Sequence, residues 1–207
     1  LLGFALAAGD ADGDGLDDLL LTSPSLTGGT GQVVVFFGPV AEVRFAEDAD
    51  AFITGAVGDG FGISTVWDGI HDIDGDGTND LVVGASSAAT AFYFRGPLTT
   101  SATTADADAV VVGDGGSFLG GMVSAGDLDG DDLADLVLGI PGPSDGFGAI
   151  VLYGPLAGTR SAETADLRVR TPGYAGALSP GDLDGDGLGD LLVTEEDTMS
   201  VFRGRSY

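Results

Sequence analysis

The sequence contains no cysteine and no lysine, and its basic side chains are seven arginines and a single histidine, His71. Without cysteine the chain has neither a disulfide framework nor a thiolate site. Without lysine it has no group for Schiff-base chemistry. Long apolar runs are also missing, since none approaches the ~18 residues of a membrane-spanning helix. The opening LLGFALAAG is short and lacks a basic leader, so we expect a strand there rather than the end of a signal peptide.

Positive charge is scarce, whereas acidic residues number 33, and the formal net charge is −26. Because no basic patch is available to hold phosphates, nucleic acid and anionic membrane surfaces are disfavoured as partners. Eighteen of the 33 acidic residues fall within four stretches of nine residues. Most of the excess charge is therefore local, and we expect a local counter-charge.

Glycine, in contrast, is abundant, with 37 of 207 residues and no collagen-like period of three. This frequency predicts many tight turns between short elements. Hydrophobic residues make up 43% of the chain. A chain of this length and composition is expected to fold as one domain with a substantial core.

The four acidic stretches are copies of one motif. They are DADGDGLDD (loop 1, 10–18), DIDGDGTND (loop 2, 72–80), DLDGDDLAD (loop 3, 127–135) and DLDGDGLGD (loop 4, 182–190). Their first aspartates are 62, 55 and 55 residues apart. Periods of this size are typical of propellers and repeat arrays.

Short apolar runs recur around each loop. The first run covers 19–24, 81–86, 136–141 and 191–196, the second covers 32–40, 91–98, 149–156 and 199–204, and a third covers 50–55, 108–113 and 166–171. These runs lack helical periodicity and end at Gly, Pro, Ser or Asp, so they are predicted strands. Together with the segment before each loop, a complete unit has four strands, and the acidic loop joins the first to the second. We ascribe the longer first period to a long turn at 22–31 and to extra residues at 67–72.

Four-stranded antiparallel units at this period predict an all-β fold, a β-propeller of about four blades. The predicted blades are 1–55, 56–113, 114–171 and 172–207, and the last one lacks its fourth strand. Each blade must stack on its neighbours to bury its faces. An unfinished blade exposes an edge strand that invites pairing. Three arrangements would cover it: a longer propeller of which this chain is a part, completion by another chain, or a closed four-bladed ring, of which we favour the first.

The loops have the residue pattern of calcium sites. Positions 1, 3, 5 and 9 are the carboxylates of Asp10, Asp12, Asp14 and Asp18; Asp72, Asp74, Asp76 and Asp80; Asp127, Asp129, Asp131 and Asp135; and Asp182, Asp184, Asp186 and Asp190. Position 7 offers the backbone carbonyls of Leu16, Thr78, Leu133 and Leu188. With one carboxylate bidentate, each set supplies the six or seven hard oxygens that calcium favours, whereas magnesium requires a tighter octahedron. Zinc is disfavoured because His and Cys ligands are lacking.

Charge repulsion also predicts a bound cation. Two carboxylates about 5 Å apart repel by roughly 3 kcal/mol at an effective dielectric constant near 20, and each loop holds four at positions 1, 3, 5 and 9. Weak calcium binding at four sites would together stabilise the fold by about 5–6 kcal/mol. We therefore expect about four calcium ions that hold the fold together. Loop 3 has Asp132 where the others have glycine, so its backbone is either left-handed there or distorted.

An EF-hand is rejected, although its loop also begins D-x-D-x-D-G. That motif needs a bidentate glutamate at position 12 and flanking helices. Position 12 is instead Leu21, Val83, Leu138 and Val193, each inside a predicted strand.

The chain resembles the FG-GAP repeats of the integrin α-subunit β-propeller and its bacterial relatives. A Phe-Gly pair precedes the calcium loop in that family, and a Gly-Ala-Pro follows it. Here FG stands at 61–62, with LG at 2–3, FLG at 118–120 and YAG at 174–176 as weaker forms, and the second half appears as GAS at 84–86 and GIP at 139–141. The resemblance implies calcium in the loops between strands 1 and 2, on one face of the propeller. It also implies that partners bind the opposite face, through the loops that join strands 2–3 and 4–1.

Catalysis is not expected within these residues. His71 adjoins a predicted calcium ligand, and no nucleophile motif such as G-x-S-x-G accompanies it. The glycine-rich segment 113–121 lacks the Lys-Ser/Thr of a nucleotide loop and is interpreted as a turn. The carboxylates outside the loops would act as a glycosidase pair only at a suitable separation; they are Asp59, Asp114, Asp145, Glu195 and Glu196. Trp67 and the other aromatic residues are expected to pack between blades.

The sequence is thus interpreted as a calcium-stabilised propeller module of a secreted or cell-surface protein, with a structural or adhesive, protein-binding role. Extracellular calcium is millimolar, so even weak sites would fill there. A protein partner is expected to contact the turns at 22–31, 86–90 and 141–148. Three alternatives stay open: a carbohydrate-binding propeller, a non-catalytic part of a secreted enzyme, and a self-assembling subunit that a neighbouring chain completes.

Overall fold

The computed structural model of the chain describes residues 2–27, 29–40, 44–65, 71–113, 118–140, 147–171, 175–195 and 197–205. Within these residues the protein is all-β, with strands in four sheets, four short 3-10 turns and no α-helix. The sheets are propeller blades, as the repeat predicts.

Blade 1 consists of β1 (Leu6–Gly9), β2 (Asp18–Thr27), β3 (Thr30–Phe36) and β4 (Ala51–Val57). Blade 2 consists of β5 (Phe61–Thr65), β6 (Leu81–Ala85), β7 (Thr90–Phe94) and β9 (Ala109–Val112), with the short β8 (Ala102–Thr103) between the last two in the chain. Blade 3 consists of β10 (Met122–Gly126), β11 (Asp135–Gly139), β12 (Phe147–Leu152) and β14 (Leu167–Arg170), with the short β13 (Gly158–Ser161) before β14. Blade 4 consists of β15 (Ala175–Gly181), β16 (Asp190–Glu195) and β17 (Thr198–Phe202).

Consecutive strands within each blade pair antiparallel, and the acidic loop closes the first hairpin of every blade. Gly9 pairs with Asp18 at the base of loop 1, and the same register recurs in blades 3 and 4. In blade 2 an isolated bridge joins His71 to Asp80. All four loops therefore lie at the same end of their blades, as predicted.

Each of two blades receives a fifth strand from its successor. β8 of blade 2 pairs parallel with β4 of blade 1, and β13 of blade 3 pairs parallel with β9 of blade 2. These short strands lie in the connections between the third and fourth strands of their own blades. The sequence pattern did not predict them. They tie neighbouring blades together along the outer edge.

The core lies between the blades. Three clusters of buried side chains join blade 1 to blade 2, blade 2 to blade 3, and blade 3 to blade 4. Phe61 and Leu119, which begin the Phe-Gly and Leu-Gly pairs, are both 0% exposed within these clusters. The glycines that follow them, Gly62 and Gly120, have φ values of 80° and 81°, a left-handed conformation that favours glycine. This confirms that neighbouring blades bury one another's faces.

The predicted long turn at 22–31 is wrong. β2 continues to Thr27 and β3 begins at Thr30, so this segment is mostly an extended hairpin. The pairing register shifts between Ser23 and Thr27, which accommodates Pro24 at an irregularity, where proline is tolerated in a sheet. The predicted insertion near 67–72 and the aromatic residue Trp67 lie largely outside the described residues.

The outermost strand of blade 4 is β17, which pairs with β16 alone among the described strands. Its side chains are exposed, including Met199 at 67% and Val201 at 43%. The fourth strand that covers this position in blades 1 to 3 thus has no counterpart in the described part of blade 4. Among the described residues, no helix is long and apolar enough to cross a membrane.

Candidate metal centre

The backbone of each acidic loop turns at positions 4 and 6. Glycine occupies position 4 in all four loops, with φ between 79° and 84°. Position 6 is glycine in loops 1, 2 and 4, and Asp132 in loop 3 takes the same left-handed conformation with φ of 69°. Its N–H donates to Asp127 Oδ2 at 3.1 Å, as the glycines at this position do in their loops. Of the two alternatives for loop 3, the left-handed backbone is the one observed.

The aspartate at position 1 organises the loop backbone. In loop 1, Asp10 Oδ1 accepts a hydrogen bond from Gly13 N at 2.8 Å, and Oδ2 accepts one from Gly15 N at 2.9 Å. Asp72, Asp127 and Asp182 repeat both contacts in their own loops. The alternation of aspartate with glycine therefore builds one loop conformation four times.

Positions 3 and 5 continue this pattern along the loop. Asp12 Oδ1 accepts from Asp14 N at 3.0 Å, and Asp14 Oδ1 accepts from Leu16 N at 2.8 Å. The other three loops repeat both bonds. The N–H groups at position 7, those of Leu16, Thr78, Leu133 and Leu188, are thus placed by position 5. That their carbonyls bind calcium stays a prediction.

The aspartate at position 9 is the buried member of each set. Asp18, Asp80, Asp135 and Asp190 are at most 1% exposed. In loop 3, Asp135 Oδ2 accepts from Leu128 N at 2.8 Å, and Oδ1 accepts from Gly154 N at 3.1 Å. The other loops repeat this arrangement. Position 9 therefore connects its loop to the chain that leaves the third strand.

Three carboxylates of each loop converge. The oxygens of positions 1, 3 and 9 lie within 4.8 Å of one another in all four loops. Oxygens that share a calcium ion at 2.3–2.6 Å are at most about 5 Å apart, so this spacing suits one ion. The carboxylates at position 5, those of Asp14, Asp76, Asp131 and Asp186, are not part of these groups. Their role as ligands stays a prediction as well.

Burial shifts the pKa values of several loop carboxyls. Desolvation raises the pKa of Asp135 to about 6, although two backbone hydrogen bonds to its carboxylate act to lower this pKa. It also raises the pKa of Asp80, whose Oδ2 accepts from the buried Tyr93 hydroxyl at 2.9 Å. Desolvation is likewise the main cause of the raised pKa of Asp12 and Asp129. Burial thus disfavours the negative charge of these four carboxyls, whereas hydrogen bonds lower the pKa of Asp76 and Asp182.

Two of the four loops carry an arginine on their position-3 carboxylate. Arg95 Nε forms an ion pair with Asp74 Oδ2 in loop 2, and Arg203 Nη1 lies 3.0 Å from Asp184 Oδ2 in loop 4. Among the described ion pairs, none involves an aspartate of loop 1 or loop 3.

Successive loops are hydrogen-bonded to one another. The residue at position 8 of one loop donates to the position-1 carbonyl of the preceding loop. The three bonds are Asn79 Nδ2 to Asp10 O at 2.9 Å, Ala134 N to Asp72 O at 3.2 Å, and Gly189 N to Asp127 O at 2.6 Å. The position-2 side chains of loops 1 to 3 are buried, whereas Leu183 of loop 4 is 54% exposed. The loops thus form one row across the blades.

The donor set fits calcium. It consists of oxygen atoms, it includes a carboxylate already held in a fixed orientation by backbone N–H groups, and it combines several negative charges in a small volume. A hard, oxygen-loving dication is the cation that such a set selects. The metal would supply the missing counter-charge, while the chain's own hydrogen bonds place positions 1, 3 and 9.

Three further aspartates have a repeated role that the sequence reasoning missed. Asp50, Asp108 and Asp166 each accept a hydrogen bond from the backbone N–H just after the third strand of their blade, those of Phe37, Arg95 and Tyr153 at 2.8–3.0 Å. An Ala-Asp pair recurs 58 residues apart at these positions, so the signal was present. These carboxylates are structural caps of the connection between the third and fourth strands, which carries β8 in blade 2 and β13 in blade 3.

The residues considered for catalysis do not form a site in the described structure. Asp59 closes a turn, because its carboxylate accepts from Ala56 N at 2.7 Å and Phe61 N at 2.8 Å. The carbonyl of His71 accepts from Asp80 N at 2.8 Å beside loop 2. Asp114, Asp145, Glu196 and the side chain of Glu195 lie outside the described residues, as does the part 114–117 of the segment 113–121.

Comparison with known proteins supports the same family as the fold. An FG-GAP repeat model matches residues 2–36, and an FG-GAP-like repeat model matches residues 72–138. The chain is 30% identical to integrin alpha-X of Homo sapiens over 92% of its own length, and 31% identical to integrin alpha-D of Homo sapiens over 91%. It is 24% identical to integrin alpha pat-2 of Caenorhabditis elegans over 93%. The chain spans only 17–18% of the length of these relatives. From these matches and the blades of its fold, the chain belongs to the FG-GAP repeat, integrin α-like β-propeller family.

Proposed function

We propose that the chain is a calcium-binding β-propeller module of a secreted or cell-surface protein, without catalytic activity of its own. One observation carries the calcium proposal: the same loop, with the same hydrogen bonds and the same three converging carboxylates, is built four times. An acidic turn that served only to reverse the chain would not need a buried carboxylate in every copy, since burial of an unpaired charge is costly. Each loop would hold one calcium ion through positions 1, 3, 5 and 9 and the carbonyl of position 7.

In this proposal calcium stabilises the fold by closing the first hairpin of each blade. The blades would span about 1–55, 56–113, 114–171 and 172–207, and the last has three strands among the described residues. Because each loop is hydrogen-bonded to the next, calcium would also strengthen the contact between blades.

The calcium proposal is tested by thermal unfolding of metal-free protein with and without added ion. We expect 1 mM calcium to raise the melting temperature markedly, by roughly 10 °C or more if several weak sites fill together, whereas magnesium should do less. The bound metal should number about four per chain by elemental analysis. An unchanged melting temperature, with no retained calcium, would contradict the proposal.

We further propose that the module binds a protein partner through the end of the blades opposite the loops. The connections from β4 to β5 and from β6 to β7 lie there. Val57 is 75% exposed at this end, and Ser86–Ala88 forms a 3-10 turn. An exposed apolar side chain beside short, ordered turns suits a protein contact better than an acidic surface does.

An adhesion assay with immobilised module tests this second proposal. We expect cell attachment that Val57→Asp reduces several-fold. Val40→Asp is the matched control, because Val40 is also an exposed apolar residue, 37% exposed, but follows β3 at the loop end of blade 1 and is not a candidate metal ligand. Equal losses in both variants, or attachment that soluble glycans abolish, would favour the alternative of a carbohydrate-binding propeller.

A further inference from the structure

The four acidic loops share one backbone but differ in the residue that follows the third strand of their blade. This residue is Phe37 in blade 1, Arg95 in blade 2, Tyr153 in blade 3 and Arg203 in blade 4. The backbone N–H groups of the first three make the same hydrogen bond to a capping aspartate. The next residue is in every case a glycine whose N–H binds the buried carboxylate at position 9. In blades 1 to 3 the side chain alone therefore distinguishes these positions, and blade 4 shares the glycine contact.

In blades 2 and 4 this side chain extends over the loop. Arg95 Nε contacts Asp74 Oδ2, and the Asp74 side chain is only 5% exposed. Arg203 Nη1 lies 3.0 Å from Asp184 Oδ2, with the Asp184 side chain 23% exposed. An ion pair in which one partner is withdrawn from water is screened less than a pair on the open surface. Each guanidinium thus neutralises one carboxylate of the group that converges at the candidate metal site.

We propose that Arg95 and Arg203 are internal counter-cations that divide the calcium sites into two classes, a high-affinity pair in loops 1 and 3 and a low-affinity pair in loops 2 and 4. This inference rests on the proposed calcium function and concerns how strongly each loop binds the ion. In loops 2 and 4 calcium must bind close to a fixed positive charge. It must also share the position-3 carboxylate with the guanidinium that already contacts it. In loops 1 and 3 the aromatic side chain offers no such competition.

The arginines have the opposite effect when calcium is absent. A loop with several carboxylates repels itself, and a guanidinium on one of them relieves part of that repulsion. Loops 2 and 4 should therefore stay folded at calcium concentrations that leave loops 1 and 3 strained. The chain then responds to calcium in two stages, at separate concentrations.

The size of the effect follows from the charges. A unit positive charge about 6 Å from a divalent ion in a water-like dielectric changes its binding about tenfold, and more where water is excluded. We therefore expect the two classes to differ in dissociation constant by at least about tenfold.

Calorimetric calcium titration of metal-free protein tests the inference. The wild-type chain should show two tight and two weaker sites. Arg95→Gln should convert one weak site into a tight one, with about tenfold higher affinity. Tyr153→Arg should convert the tight site of loop 3 into a weak one. This second variant tests the inference on another blade, independently of whether Arg95→Gln is stable. Arg160→Gln is the matched control, because Arg160 pairs with Asp166 rather than with a loop aspartate and should leave all four sites unchanged.

Thermal unfolding gives an independent readout. Arg95→Gln should lower the melting temperature in calcium-free buffer, and saturating calcium should restore it to or above the wild-type value. A purely structural role for Arg95 would instead lower both melting temperatures equally. Four equivalent sites that neither Arg95→Gln nor Tyr153→Arg alters would overturn the inference and leave the calcium function intact. A wild-type chain that binds no calcium would overturn both.

Discussion

The side-chain amide of Asn79 donates a hydrogen bond of 2.9 Å to the backbone carbonyl of Asp10, across the boundary between two blades. Asp10 is the first candidate ligand of loop 1, and Asn79 is at position 8 of loop 2. In the later loops the same link is made by backbone N–H groups, from Ala134 and from Gly189. Side-chain substitution can therefore break this link at one boundary only, which makes Asn79 a specific probe of the coupling between loops.

Asn79→Ala should destabilise the contact between blades 1 and 2. The carbonyl of Asp10 would lose its partner at a partly buried position, a change that costs about 1 kcal/mol. Denaturant unfolding in calcium should show this loss, with an m-value close to that of the wild type. Asp17→Ala is the control, since Asp17 is at position 8 of loop 1 and makes none of the three bonds between described loops. An equal effect of both substitutions would contradict an inter-loop role for Asn79.

Positions 5 and 9 of a loop should respond differently to removal of charge. Asp135→Asn keeps the shape of the buried side chain, but its amide can accept only one of the two backbone hydrogen bonds that Asp135 receives. We expect a loss of about 2 kcal/mol even without calcium, and a larger loss with calcium because Asp135 is also a candidate ligand. Asp131→Asn retains an oxygen for Leu133 N at an exposed site, so it should reduce only the calcium-dependent part of the stability. Chemical unfolding of both variants in calcium and in chelator checks this contrast, and a calcium-dependent loss alone at Asp135 would contradict it.

Sequence repetition predicted much of the fold because each blade repeats both its strand pattern and its loop. The aspartates and glycines of the loops have local roles, so their spacing indicates that positions 1, 3 and 9 lie together, whereas position 5, expected with them, is not part of these groups. β8 and β13 escaped prediction because they are two and four residues long, and their pairing partners lie on another blade. Tertiary pairing also overrode the turn-like composition of 22–31, where β2 and β3 form a long hairpin.

The sequence analysis also did not predict the arginine counter-charges at loops 2 and 4, for a different reason. Arg95 and Arg203 are separated from their aspartates by about 20 residues in sequence, and no local pattern joins them. Only the return of the third strand to the first hairpin brings the guanidinium and the carboxylate together. The sequence pattern at position 8 did not predict the inter-loop hydrogen bonds either. This position is asparagine, alanine or glycine in loops 2 to 4, and all three residues provide the donor.

Asp132→Gly should stabilise the protein. Asp132 has a φ of 69°, a left-handed backbone conformation. A residue with a β-carbon is strained in this conformation, whereas glycine is not. Relief of this strain should contribute about 0.5–1 kcal/mol, and removal of one negative charge from loop 3 should add to the gain in calcium-free buffer. Asp132→Ala is the control, because it removes the charge but keeps a β-carbon in the left-handed conformation. Equal stability of the Gly and Ala variants would contradict a strain at this position.

Metal-free protein should become more stable as the pH is lowered from 7.5 to about 5. The folded-state pKa of Asp135 is raised to about 6, above its unfolded value, and that of Asp80 is raised as well. The folded state therefore favours the protonated carboxyls, and this contribution is present at low pH and lost as the pH rises through about 6. Below about pH 4 the trend should reverse, because hydrogen bonds lower the pKa of Asp182 and Asp106.

Melting temperatures across this range, in buffers freed of metal by resin, check the prediction. Calcium requires ionised carboxylates, so its own stabilising increment should shrink over the same interval in which the metal-free protein gains stability. The Asp135→Asn variant should show a flatter dependence without metal, because its amide does not titrate. A metal-free stability that falls steadily from pH 7.5 to 5 would show instead that the buried carboxylates are held in their charged form by the hydrogen bonds of the loop.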